Sequence, residues 1–557
     1  MDRQRNIILF SICILLLACS PILCANEQKT YAVHTVEWQM VSDLCRLAGV
    51  SGPSSAGPVT GRELLIALDR INRGLLSPEE QALYDDLLSQ ISSPTKLLSV
   101  HDFSFSLVPE VSVEGYFHQK DYSSYDDTNL MEQDWLIPYR DRTPFLSGEL
   151  ELWFGDSIYG NATYFAKRIA KNSFLSPVAT SNLTLDFGDG VQPRMPQKAG
   201  IAIGNSFANL SIARDRLSIG TGRTGNLHVG DNFNYQDYLK LDLASDVFTY
   251  SLSLTHFDQQ TGTTTLEKFR FSGPHQIRVV HRYAMTFANR FTLGLNEGVM
   301  IQSDSAFDFR MLNPFMFLHN WDNYRGGVHE ANNFFTLDFD YTFFPHWTFS
   351  GQIVMDQFQT RWELSGLDDD IEPNAWGALL NLSYSNVIWD GMLTTYLEGV
   401  YTSPFLYLAN NSSDWNHDLI VGYDISYYSD LSYTGYIHGP DSIVVAYGGS
   451  YTLPDRFTVA TQLLYKAHGQ CGIEWYSSQS QVFETGKDNL NRMSPTGIVE
   501  HTLQWTVNGT LSVSQGVRFG CEFGIIHREN NRNVAGASWT DVQLAVSATV
   551  NLIDVWH

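Results

Sequence analysis

The sequence predicts a mainly β protein: a large closed antiparallel transmembrane β-barrel of about 16–18 strands, with a small N-terminal α-helical domain. Three observations lead there. After His101 apolar and polar residues alternate in strand-length runs separated by turn residues, as in strands with one face in lipid and the other in water. Aromatic residues make up 13% of the chain and charged residues only 17%, which suits lipid-facing strands bounded by aromatic girdles. The runs between Gln276 and Glu363 also carry ionisable residues in mid-strand: His281, Arg282, Glu297, Asp338, Asp340 and Asp356. A soluble sandwich rarely accommodates so many, whereas a closed barrel offers a polar lumen.

The formal net charge is −25, which excludes the basic footprint of a nucleic-acid partner. The acidity reads as solvated loops or an anionic lumen. A mean hydropathy of −0.16 argues against a bundle of membrane helices. The N-terminus reads as a secretory signal, because Arg3 and Arg5 precede an apolar core, Ile7 to Leu17, too short to span a bilayer. Two processing routes stay open: Leu16-Leu17-Ala18-Cys19 has the form of a lipobox that would place a lipid on Cys19, whereas cleavage near Ala25 would discard it. The expected organisation is a signal peptide over residues 1–25, a periplasmic helical domain over 26–98 and an outer-membrane barrel over 99–557. Beyond the signal, Cys45, Cys471 and Cys521 are too widely spaced for a disulfide framework or a metal site, and a Cys471–Cys521 bridge is left open.

In the helical part, Thr60-Gly61-Arg62-Glu63 is a capping box, its hydroxyl and carboxylate satisfying free amides of a first turn. Leu64, Leu65, Leu68 and Ile71 follow at helical spacing. Ser77-Pro78-Glu79-Glu80 starts another helix with proline at its first position, and Leu83, Leu87, Leu88 and Ile91 form its apolar stripe. A helix from about Thr35 to Leu47 precedes them, joined by the SGPSSAGP loop. Helices this short must pack on something larger. The strand pattern then begins with Phe103, Phe105 and Leu107 and recurs at Leu146–Phe154, Phe248–Leu254 and Val542–Leu552. Polar inserts at Gln119–Thr143, Lys171–Gln197, Gly366–Asn374 and Ser478–Pro495 read as exterior loops. Trp556 stands near the C-terminus, one place from the terminal aromatic common in such barrels.

Motifs for chemistry are incomplete. Gly220-Thr221-Gly222-Arg223-Thr224-Gly225 has the G-x-G-x-x-G spacing, yet loop-like NLHVGDNFNY follows instead of the helix a dinucleotide needs, so it reads as a strand end and turn. His329-Glu330 lacks the second histidine of a zinc helix, where Asn333 stands. Asp368-Asp369-Asp370 with Glu372 lacks calcium-loop spacing and reads as a solvated acidic loop. Asp338 and Asp340 share a strand face, the arrangement glycoside hydrolysis would use, without a complete acid–base constellation. No catalytic residue, cofactor or metal is therefore expected. Arg214, Arg216, Arg223, Lys240, Arg278, Arg282 and Arg310 lie in or beside strands and should point inward to acids such as Asp215, Asp242, Glu297, Asp338 and Asp356. The result is either a structural salt-bridge lattice or a lining for an anionic polymer or solute.

Several runs, in order, give the chain a resemblance to the Wzi-type capsule-assembly family of outer-membrane proteins: RDRLSIGTGR at 214–223, DYLKLDL at 237–243, His281-Arg282, LGLNEGVMI at 293–301, MLNPF at 311–315, NNFFTLDFDY at 332–341 and GPDS at 439–442. The resemblance implies an even-stranded barrel, eighteen strands in the family, with a helical bundle across its periplasmic end and loops folded into its mouth. It implies a lectin-like, non-catalytic protein that binds or anchors surface (capsular) polysaccharide. Arg223, His281, Arg282, Glu297, Asn313, Asn333, Asp338 and Asp356 are the matching positions, read as polysaccharide or lumen candidates. The expected partners are that polysaccharide and outer-membrane lipid, for a monomer in the outer membrane of a diderm bacterium. The competing reading is a porin-like channel for small solutes.

Overall fold

The computed structural model describes residues 27–93, 96–119, 135–137, 141–168, 179–183, 198–233, 235–257, 275–303, 309–319, 330–357, 373–408, 420–425, 428–472, 492–514 and 516–554. The expected signal with Cys19, His329, the acidic run Asp368–Asp370 with Glu372, and Trp556 lie outside these residues.

Eighteen antiparallel strands close a barrel. They are β1 (Phe103–His118), β2 (Leu146–Phe154), β3 (Ile158–Ala166), β4 (Lys198–Gly204), β5 (Ala208–Asp215) and β6 (Gln236–Ala244). Next come β7 (Phe248–Phe257), β8 (His275–Phe287), β9 (Phe291–Ser303), β10 (Glu330–Phe344), β11 (Trp347–Gln357) and β12 (Ala375–Ile388). The circuit ends with β13 (Gly391–Thr402), β14 (Ser442–Leu453), β15 (Phe457–His468), β16 (Glu500–Ser514), β17 (Val517–Glu529) and β18 (Ser538–Asn551). Each strand pairs with its successor, and β18 returns to β1 with Leu544 opposite Phe117. Closure leaves no unpaired edge, so the backbone can cross hydrocarbon with its polar groups satisfied.

Alternation decides which face each residue takes. Val113, Leu295, Leu337, Ile353, Leu397, Leu463 and Val546 are exposed on the outer wall. Their neighbours of opposite parity, such as Ser112, Asn296, Thr336 and Asn381, are buried and polar inside it. Phe287, Phe291, Tyr341, Phe344 and Trp347 gather beside short turns such as Ala288–Arg290 and Pro345–His346 and form an aromatic girdle there. Every polar insert read from the sequence connects strands at the opposite end. Short turns face the periplasm in such barrels, so the strand ends that the inserts join face the exterior. Among the described residues no helix is long and apolar enough to cross a membrane.

At the short-turn end, α1 (Val36–Ala48), α2 (Gly61–Asp69) and α3 (Pro78–Ser92) pack together. The expected capping box is present at Thr60/Glu63, and the expected start at Ser77-Pro78 is closed by a second one, Ser77/Glu80. Leu44, Leu64, Leu68, Leu87 and Ile91 bury against one another and reach Met392 and Val387 of the barrel wall. Polar contacts fix the unit on the turns: Ser51 N–H donates to Asn289 O at 2.7 Å and His346 N–H to Arg46 O at 2.7 Å. Arg62 and Arg70 donate to the Ser206 and Asp246 carbonyls at 3.1 Å each. Inside the wall, Asp43 accepts from Arg46 at 2.5 Å, Ser385 at 3.0 Å and Thr394 at 2.8 Å. The helices therefore sit within the barrel's lower opening.

The three cysteines of the described residues are free; Cys471 is buried beside Thr496 while Cys521 lies on the outer wall, so the bridge left open by the sequence does not form. Burial pushes the Cys45 thiol up to about 12. Since the thiolate is the nucleophile, Cys45 should resist iodoacetamide at neutral pH in the folded barrel and react once denaturant opens the helical unit. Peptide mass mapping before and after unfolding checks this, and rapid native labelling would contradict the packing.

Candidate functional site: an occupied lumen and its mouth

Between β5 and β6 the chain turns into the lumen. Ser218 and Ile219 pair with Gly57 and Ala56 of the helical unit, and Gly220 N–H donates to Ser55 O at 2.9 Å. A segment entering from the outer end thus meets one rising from the periplasmic end. The GTGRTG run is the turn at its centre, as expected of a strand end with no helix to follow. Gly220 has φ +133° and lies against the Gln352 amide, a place where a side chain would be both strained and obstructed. Glu398 of β13 clasps the turn, accepting from Arg223 N–H and Thr224 N–H at 2.7 Å each and from the Thr224 hydroxyl at 2.6 Å. Asn381 donates to the same carboxylate at 3.1 Å. The Arg223 guanidinium lies 5.4 Å from the Tyr396 ring centroid.

A second segment, between β13 and β14, packs on the first. Tyr407 and Tyr436 are fully buried with Leu227, Phe233 and Leu406 in the largest apolar cluster inside the barrel. The Tyr407 hydroxyl donates to Leu227 O at 2.7 Å and accepts from Tyr436 N–H at 3.0 Å, so neither buried hydroxyl nor amide is stranded. Asn232 donates to the Tyr433 and Gly435 carbonyls at 2.9 and 2.7 Å. Asp356 accepts from Tyr407 N–H at 2.9 Å and so holds this loop. Nearer the rim, Asp441, just before β14, accepts from Cys471 N–H and Thr496 N–H at 3.0 Å each, tying the chain leaving β15 and entering β16 to the end of β14.

Beneath these segments the wall carries ion pairs. Arg282 and Asp338 meet at 2.7 Å with side-chain exposures of 3% and 9%, and Asn296 donates to the same carboxylate at 2.7 Å. A Cβ at Gly294, directly across the strand pair, would collide with that carboxylate, which explains the glycine. Lys240 pairs with Asp242 at 2.7 Å and donates to Pro58 O at 2.8 Å. Arg278 donates to Gln236 at 2.5 Å and to Thr434 O at 3.3 Å. Asp340, on the same face as Asp338, accepts instead from Ser51 and Gly52 of the helical unit at 3.3 and 3.4 Å. The cavity bounded by Ser51, Ser55, Arg70, Thr221, Arg282 and Asp340 measures about 40 Å³, room for a few waters. The inner wall near the short turns of β16 and β17 stays wet: Thr510 is exposed, and Arg518 meets Glu110 at 3.6 Å while half exposed.

The structure therefore brings Arg223, Arg282, Asp338 and Asp356 into the lumen, but not the other candidates. His281, Glu297 and Asn333 have the opposite parity and face outward, His281 opposite Glu297 and Val299 opposite Asn333. Asn313 lies outside the wall as well, in Phe309–His319, which crosses the outer surface of β6–β10 with Met311 and Leu318 packed on Leu252, Ile277, Val279 and Val299. His281 shares a hydrogen bond with Met311 O at 2.8 Å, the Tyr283 hydroxyl donates to Pro314 O, and His319 N–H donates to Glu297 at 3.0 Å. Alternation was the right guide. The error was to assume that every ionisable residue turns inward; here His281 and Glu297 are consumed by a segment laid over them. Arg214 corrects the same assumption, pairing in two 2.8 Å bonds with Asp237 on the outer face at the strand ends. Arg216 pairs with Asp141 at 2.8 Å above the strands, and Arg310 is exposed on the outer segment. Glu398 was missed, although Tyr396-Leu397-Glu398 carries the same signal, an acid in mid-strand.

No family model and no curated protein matches the chain. Among solved structures it is similar to Wzi of Escherichia coli, described as an outer-membrane, carbohydrate-binding β-barrel involved in group 1 capsule assembly; identity is 15%, covering 94% of this chain and 99% of that one, at a TM-score of 0.56. OprD of Pseudomonas aeruginosa shares 10% identity over 80% of this chain and 95% of its own at a TM-score of 0.38, too low to bear on the argument. The shared architecture with Wzi, the apolar outer wall and the polar lumen place this chain among the outer-membrane β-barrels of diderm bacteria.

Proposed function

We propose that this barrel binds or anchors an exported surface polysaccharide, acting as a lectin-like protein without bond chemistry and as a monomer. The observation that carries the reading is the junction of Ser218-Ile219 with Ala56-Gly57, where outer loop and helical unit meet and occupy the lumen. A barrel filled in this way is suited to holding a ligand at its mouth, and the sequence between the strands at that end is rich in aromatic, amide and charged residues of both signs. The similarity of fold to a carbohydrate-binding barrel supports the same reading. Cells lacking the protein are expected to shed polysaccharide into the medium, with total synthesis unchanged. If the surface and released pools are the same with and without it, anchoring is wrong.

The competing reading, a solute channel, draws on the wet inner wall at Thr510 and Arg518. It requires the upper obstruction to open.

A further inference from the structure

The segment Phe309–His319 lies on the outside of a wall whose outer face meets lipid. We propose that it is a membrane-immersed strap, with Phe315 and Phe317 inserted among the acyl chains of the outer leaflet.

Position comes first. On β8 and β9 the strap packs on Ile277, Val279 and Val299 and bonds to His281. Nearer the periplasmic turn, the same face of the same strands shows Met285 at 45% and Leu295 at 51% exposure. The strap thus continues the lipid-facing belt toward the extracellular end. Its apolar side chains divide accordingly: Met311 and Leu318 are buried on the wall, whereas Phe309 is 72%, Phe315 89% and Phe317 65% exposed, pointing away from the protein, with Arg310 and His319 exposed toward the two ends of the segment. The phenyl groups project rather than line a groove, so fluid chains fit them better than a shaped protein partner.

Backbone chemistry makes immersion feasible. Irregular chain is excluded from hydrocarbon when its polar groups lack partners, each costing several kcal/mol. Here the wall and the strap's own turns supply partners for several of them. Met311 O and Pro314 O are met by His281 and Tyr283, and His319 N–H by Glu297. Asn313 accepts Phe315 N–H on its side chain at 3.1 Å and Met316 N–H on its carbonyl at 2.9 Å, while Pro314 has no N–H to satisfy. A loop in water needs none of this. The same pairing explains why an imidazole and a carboxylate stand on an outer strand face, where an uncovered charge costs a few kcal/mol at mid-membrane.

Depth-resolved spin labelling tests the strap in the full-length barrel reconstituted in phospholipid vesicles. Labels go at Phe315→Cys and Phe317→Cys, in a Cys521→Ser background that removes the outer-wall thiol. Leu463→Cys, on the exposed outer wall, marks lipid, and Asp455→Cys, in an exposed turn, marks water. Heat-modifiable gel migration confirms that each variant is folded. The expected result is an oxygen-to-nickel-chelate accessibility ratio at both phenylalanine sites matching that of Leu463→Cys. A ratio matching Asp455→Cys would put the strap in water. Protection from both reagents would mean that protein covers it. Either outcome overturns the proposal.

Discussion

Replacing Asp338 with alanine should destabilise the folded barrel by about 3–5 kcal/mol, the range for stranding one partner of a buried ion pair. The Arg282 guanidinium would keep its place without its counter-charge, and Asn296 would lose the shorter of its two hydrogen bonds, keeping the one to Thr336 O at 3.2 Å. Asp338→Asn should cost less, since an oxygen acceptor remains. The double change Arg282→Met with Asp338→Leu should come closer to wild type than Asp338→Ala, because no charge is left stranded. Denaturant midpoints in detergent measure all three. A loss under 1 kcal/mol for Asp338→Ala would mean that water reaches the pair.

Glu398→Ala should release the turn that blocks the lumen. It removes the acceptor of two backbone amides, a hydroxyl and an asparagine amide. Hydrogen bonds to a charged group contribute ~1.5–3 kcal/mol each. They act together, so a combined local loss of about 3 kcal/mol is a conservative expectation, equivalent to roughly 100-fold faster hydrogen exchange. The change should concentrate at Arg223, Thr224 and Leu227, whose amides are bonded to Glu398 and Gln352. Strand amides such as Leu463 in β15 should keep their protection. Uniform deprotection would point to a general loss of barrel stability.

The barrel was legible because lipid and water impose a strict two-residue period, visible in Phe103–Leu107 and Val542–Leu552 without knowledge of any contact. The helix starts at Thr60 and Ser77 were legible because caps are local chemistry. The lumen lining was legible only in part. Parity alone separates Arg282 from His281, but the charge of His281 argues for the lumen, and no local signal shows that a distant loop such as Met311–Leu318 will cover the outer face. For the same reason the pairing of Ser218-Ile219 with Ala56-Gly57, far apart in the chain, left no trace in the local pattern. Glu398 differs: its mid-strand signal was present, and only its partner was hidden.

The most direct measurement is planar-bilayer conductance of the purified wild-type barrel. If its own chain fills the lumen and it works by holding rather than passing a ligand, membranes containing it will show no steady current steps. Reproducible, long-lived open-channel currents would contradict the occupied lumen and favour a route for solutes.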